Sequence, residues 1–130
     1  MSDQSKADGL KVRTAVMGEA FVQRAIANTT PLTAPMQEWI NEHAWGSTWQ
    51  RDGLPLATRS LVTIAMLAAL KAPQELKGHV RGALNNGCSV SEIQEVLLHS
   101  AVYCGAPAAQ EAFRAAQEVI DDWQRSHGGF

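Results

Sequence analysis

Two histidines, His43 and His79, fall on or beside the apolar stripes of helix-forming segments. Partial loss of water there moves an imidazole pKa and readies the ring to give or take a proton. A helical histidine in that setting serves equally well as a hydrogen-bonded packing residue, and both readings stand at this level. Arg59 opens an otherwise apolar segment, where a guanidinium can grip a carboxylate through two parallel hydrogen bonds or pair with a nearby glutamate. The stretch Ala44-Trp45-Gly46-Ser47-Thr48-Trp49-Gln50-Arg51 sets two indoles and an arginine near a turn. That composition suits the wall of a pocket for a planar anion, and it also suits plain core or interface. His99 lies off its stripe and reads as a surface residue, and His127, in the C-terminal tail, is given no role.

The two cysteines, Cys88 and Cys104, are sixteen residues apart and form neither a Cys-x-x-Cys pair nor a metal-finger spacing. Cys104 is expected on a core-facing helical position, and Cys88 follows a turn glycine next to a helix start. The chain holds no glycine-rich phosphate loop, Gly-x-Ser-x-Gly elbow or His-Glu-x-x-His pair. Taken alone, these residues describe a helical protein with a possible pocket for an anionic ligand.

Positioning them requires helices. Helical periodicity recurs along the chain while strand-like alternation does not, so the fold is expected to be all-α with about six helices. A first segment from about Asp8 to Asn28 should be broken or bent at Gly18. A second helix should begin near Thr33 or Ala34, with Met36, Ile40, His43 and Ala44 on one stripe and Trp39 beside it. Arg51-Asp52-Gly53 is a turn sequence. Pro55 suits the first turn of a third helix, apolar on nearly every side from Leu61 to Leu70 and therefore expected to be central and buried. Pro73 should open a fourth helix, striped by Leu76, Val80, Ala83 and Leu84 and stopped by Asn85-Asn86-Gly87 in left-handed conformations. Ser89 with Glu92 forms a capping-box signature ahead of a stripe of Ile93, Val96, Leu97, Ser100, Ala101 and Cys104. Gly105 and Pro107 should end that helix and start the last, which carries Ala109, Ala112, Phe113, Ala116, Ile120 and Trp123 on one face. The tail from Ser126 to Phe130 is expected to fray.

A chain of 130 residues, 45% hydrophobic, fits a single domain over 1–130 with an ordered core of about 10–123. A net charge of −2 without any dense Lys/Arg run disfavours nucleic acid as a partner. The polar N-terminus lacks a secretory signature and the longest apolar run is too short to span a bilayer, so a cytoplasmic protein is expected, with no membrane partner. The all-round apolar third helix needs more cover than a monomer of this size readily supplies, which points to a homo-oligomer.

Several short words of the sequence occur together in order: Ala44-Trp45-Gly46, Thr58-Arg59-Ser60-Leu61, Glu75-Leu76, His79-Val80-Arg81, Ala83-Leu84-Asn85-Asn86-Gly87, Glu92-Ile93 with Glu95-Val96-Leu97, and Tyr103-Cys104-Gly105-x-Pro107. From about Leu10 to Trp123 the chain resembles the carboxymuconolactone decarboxylase family of the β-ketoadipate pathway. The resemblance implies the helical fold shared with alkyl hydroperoxidase D and a homohexamer, or a trimer, as the assembly. It also implies decarboxylation of 4-carboxymuconolactone to 3-oxoadipate enol-lactone, in the protocatechuate branch of aromatic catabolism, with neither metal nor organic cofactor. A carboxylated lactone would be the small-molecule partner.

On that reading Arg59 or Arg51 holds a substrate carboxylate, while His79 stabilises the developing dienolate or delivers the proton. Trp45 and Trp49 exclude water, and His43 is a second candidate acid. Glu75, four positions before His79 on one helix face, could orient or charge the imidazole. The alternative within the superfamily is a thiol-dependent peroxidase carrying Cys-x-x-Cys-x-x-x-His. With its histidine placed on His79, its cysteines fall on Ala72 and Glu75, so both thiols are missing. A family member that decarboxylates or binds another small carboxylated lactone is the remaining alternative.

Overall fold

The computed structural model describes residues 2–127, and among them it contains seven α-helices and no strand. The chain divides into two compact units, one ending at Leu56 and the other beginning at Ala57.

In the first unit, α1 (Asp3–Met17) and α2 (Glu19–Ala27) meet at Gly18, whose φ of 92° lies where only glycine sits without strain. The expected break is therefore present, although α1 begins about five residues earlier than the apolar pattern suggested. Ser2 caps α1 by accepting a hydrogen bond from the Ser5 amide. After α3 (Ala34–Ile40) the chain widens into a π-helical turn, Asn41–Trp45, closed by the Gly46 amide donating to the Asn41 carbonyl at 2.7 Å. The Ser47 and Thr48 hydroxyls donate to the carbonyls of Glu42 and His43, supplying partners that the helix end no longer does. A 3-10 turn, Thr48–Gln50, follows. The wide turn carries Trp45 into a core of Val16, Met17, Val22 and Trp49. The stripe expected from sequence meets that core in part: Ile40 and Ala44, half-buried, pack against it, while Met36 and Trp39 are more than half exposed and His43 lies outside.

The second unit packs α5 (Pro73–Asn85), α6 (Val90–Cys104) and α7 (Ala106–Ser126) around Leu76, Val80, Ile93, Leu97 and the alanines of α7, with Ile64 and Ala68 from α4 (Leu56–Ala69). Proline in the first turn of α5 and α7, and the full Ser89/Glu92 capping box on α6, begin these helices as expected. Gly87 (φ 89°) and Gly105 (φ 93°) end α5 and α6. At the end of α5 the Gly87 and Cys88 amides return to the carbonyls of Leu84 and Ala83, a Schellman closure. The same pair of bonds ends α4, from Lys71 to Ala68 and from Ala72 to Leu67. There the left-handed residue is a lysine, Lys71 at φ 54°, which the composition did not signal.

Two expectations are corrected here. α4 is not buried all round: Ser60, Ile64 and Ala68 face inward, while Val62, Met66 and Leu70 lie open on the single chain. Cys104 points outward rather than into the core. α7 continues regularly to Ser126, and the expected fraying over 128–130 lies outside the described residues. Among the described residues no helix is long and apolar enough to cross a membrane.

Candidate active site

His79 stands on α5 immediately before the fully buried Val80, so the helix that packs the core also draws the imidazole inward. Its Nδ1 atom is shut off from solvent. Burial pushes its pKa down to about 4, so the ring is neutral at physiological pH. Glu75 lies one turn earlier on the same face and is itself exposed. Desolvation is the cause of the His79 shift, and it opposes the charged imidazole considered above. A neutral ring offers a hydrogen bond to developing negative charge without carrying a charge of its own.

Arg59 sits in the first turns of α4, next to the fully buried Ser60, and its Nε atom is enclosed. Ser60 accepts a hydrogen bond from Asn86 Nδ2 at 2.9 Å, tying the start of α4 to the end of α5. Thr63 Oγ1 donates to the Arg59 carbonyl at 2.7 Å.

The other four candidates belong to the first unit. Trp45 and Trp49 are buried and stacked, with ring centroids 4.7 Å apart and planes 25° apart. Trp49 and Arg51 line one cavity of about 540 Å³ together with Gln50, Asp8 and Asp52. The amide of Gln50 holds this turn by donating to the carbonyls of Ser5 and Trp45 at 2.8 and 3.0 Å. Trp45 belongs to the core beneath rather than to the cavity wall. His43 is not drawn to that cavity: it lies on the exposed side of the π-turn, its ring tilted against Trp39 with centroids 4.8 Å apart.

Sequence reasoning passed over Arg13. It is a buried guanidinium held by amide oxygens, Asn41 Oδ1 at 2.9 Å and Gln37 Oε1 at 3.5 Å, and burial lowers its pKa. Its place at four-residue steps from Gly9 and Met17, both buried on α1, was the available signal. Also missed was an apolar groove of about 530 Å³ on the second unit, where His99, Tyr103 and Glu95 of α6 face Val62 and Thr58 of α4.

The two thiols bracket α6. Fourteen or more helical residues at 1.5 Å each set them about 20 Å apart, beyond any disulfide. Burial, with Glu92 nearby, raises the Cys88 thiol pKa, which is the reverse of what a thiolate nucleophile needs.

Residues 34–118 match the model of the carboxymuconolactone decarboxylase family. The chain belongs to this family. Among curated relatives, it is 44% identical over 123 residues to a 4-carboxymuconolactone decarboxylase of Acinetobacter baylyi, covering 94% of this chain and 92% of that one. It is 49% identical over 115 residues to a nitrosuccinic acid decarboxylase of Metarhizium robertsii, covering 88% and 80%. An uncharacterised 15.0 kDa protein of Paracoccus denitrificans is 38% identical over 104 residues, covering 78% and 75%. Two of these three relatives of the carboxymuconolactone decarboxylase family member described here are named as decarboxylases. The resemblance seen in the short sequence words is thus a family membership.

Proposed function

We propose that this chain is a carboxy-lyase that converts 4-carboxymuconolactone to 3-oxoadipate enol-lactone in the β-ketoadipate pathway, with no metal or organic cofactor. The observation that carries the reading is the likeness to the Acinetobacter decarboxylase over nearly the full length of both chains.

The substrate supplies its own electron sink. As the C–C bond to the departing carboxylate breaks, its electron pair passes through the ring double bond to the lactone carbonyl, carbon dioxide leaves, and a dienolate remains. One proton then bonds to the carbon next to that carbonyl, giving the enol-lactone. The protein has to anchor the carboxylate that stays, keep water off the one that leaves, and stabilise the dienolate oxygen. Arg59 suits the anchor, because a guanidinium binds a carboxylate through two parallel hydrogen bonds and the Nε atom of this one is enclosed. His79, held neutral by burial, suits the hydrogen bond to the dienolate. Glu75, one turn away on α5, suits a positioning part. In the first unit, Arg51 and Trp49 line a cavity able to take a carboxylated ring, with Trp45 packed behind Trp49. His43, exposed on its turn, is the weaker acid candidate. We read the enzyme as cytoplasmic and self-associating, as a hexamer or a trimer.

A second reading has its own observation in the 49% identity to the nitrosuccinic acid decarboxylase. Nitrosuccinate also bears a carboxylate on a carbon attached to an electron sink, with a second carboxylate one methylene away. Loss of carbon dioxide there leaves a nitronate instead of a dienolate, and the same anchor and hydrogen-bond donor serve it.

Ultraviolet-monitored turnover of freshly generated 4-carboxymuconolactone, with nitrosuccinate in a parallel assay, tests the two readings. Chelator-insensitive conversion of the lactone that falls by roughly 10²-fold or more in folded Arg59→Ala and His79→Ala supports the first. Conversion of nitrosuccinate alone replaces it by the second, and full turnover in both variants removes the assigned residues.

A further inference from the structure

On the second unit, one face of α4 and α6 is apolar, open and nearly free of charge. α4 carries no Asp, Glu, Lys or Arg from Ser60 to Ala69, and α6 carries none from Val96 to Cys104. Val62 and Met66 on α4 and Leu70 just past its end follow one another at four-residue steps, and Met66 and Leu70 are 60% and 74% exposed. On α6, Leu98 and Val102 flank His99 and Tyr103, and Val102 and Tyr103 are 76% and 77% exposed. Between α4 and α6 runs the groove of about 530 Å³, whose titratable lining is Glu95, His99, Tyr103 and Cys104.

We propose that this face is the contact between copies of the chain, the ridge Val62-Met66-Leu70 of one copy seating in the α4/α6 groove of another. Two features single out a second copy as the occupant. The first is area: the six large apolar residues leave on the order of 600 Å² of side chain open, close to the roughly 800 Å² per partner of a stable interface. The second is charge. A face with so few charges complements another such face, and it offers nothing to a basic or acidic partner. The chain presents that matching surface itself, as ridge and groove together, which is what a self-complementary interface requires. The inference rests on the self-association proposed above and adds the surface that carries it.

Cys104 lines the groove and is exposed on the single chain, whereas Cys88 is buried. The accessibility of one native thiol therefore reports on contact at this face. The experiment combines sedimentation of the wild-type protein with the rate of thiol modification by an aromatic disulfide reagent, at high and low protein concentration. Val102→Arg and Met66→Arg are measured alongside, with circular dichroism to establish folding; both side chains project from the single chain, on different helices.

The expected result is a wild-type oligomer whose Cys104 reacts slowly and accelerates at least tenfold on dilution to dissociated chains. Either folded arginine variant should sediment at half the wild-type mass or less, with fast Cys104 reaction at all concentrations. A wild-type oligomer with fast-reacting Cys104, or folded variants that keep its mass, overturns this face while leaving self-association standing. A wild type that is monomeric throughout, including one that binds lipid vesicles instead, overturns both.

Discussion

A Cβ placed on Gly9 would stand 2.8 Å from the carbonyl carbon and oxygen of Trp45. α1 therefore lies directly against the backbone of the π-turn, and only a residue without a side chain permits it. Backbone on both sides leaves nothing flexible to yield. Gly9→Ala is expected to cost about 1–3 kcal/mol in chemical unfolding and to alter the near-ultraviolet circular dichroism of the stacked Trp45 and Trp49. Unchanged stability and unchanged aromatic signal would show that the two segments are not in contact in solution.

His79 should give stability a measurable pH dependence. Its folded pKa, about 4, lies below the ordinary 6.5, so between those values the unfolded chain binds a proton that the folded one refuses. The contribution is complete above about pH 6.5, falls as pH drops, and is exhausted near pH 4, with a span of up to about 3 kcal/mol. His79→Gln should flatten that part of the stability curve relative to wild type. An NMR titration placing the His79 pKa near 6.5 would contradict the burial argument.

The two Schellman closures make opposite predictions. Lys71 occupies a left-handed position at a cost that glycine avoids, so Lys71→Gly should raise stability by about 0.5–1 kcal/mol. Gly87→Ala, at the equivalent position after α5, should lower it by about 1 kcal/mol. Urea unfolding of the pair checks the sign, and a stabilising Gly87→Ala would mean that α5 ends differently.

Neither thiol is expected to be needed for decarboxylation. The double variant Cys88→Ser, Cys104→Ser should keep kcat/KM within about twofold of wild type, because neither sulfur forms a redox pair and the Cys88 thiol is disfavoured as a thiolate. Abolished turnover in a folded double variant would reopen the thiol alternative.

The helix boundaries were legible wherever a single residue type settles the local backbone. Gly18, Gly87 and Gly105 break or end helices because they take positive φ. Pro73 and Pro107 begin them, and Ser89 with Glu92 closes a capping box, all through bonds within a few residues. Lys71 shows the limit of such reading, since its side chain does not advertise the left-handed backbone it adopts. The candidate site was legible as residue types and as the i, i+4 placement of Glu75 and His79, and in the Trp45/Trp49 pairing near Arg51. That stretch read as a pocket wall, and Trp49 and Arg51 do line one cavity; that Trp45 lies in the core beneath it and that His43 turns toward Trp39 was not legible.

By itself, then, the sequence determined an all-α chain, most of its helix ends and its family, because these rest on local backbone preference and on ordered short motifs. Tertiary structure alone decided which side of α4 meets the core, that Cys104 faces out and Arg13 in, and that a π-turn stacks the two indoles. It also decided that His79 is neutral. Each of these depends on what distant segments place beside a residue, and burial, desolvation and packing are properties of that neighbourhood rather than of the residue.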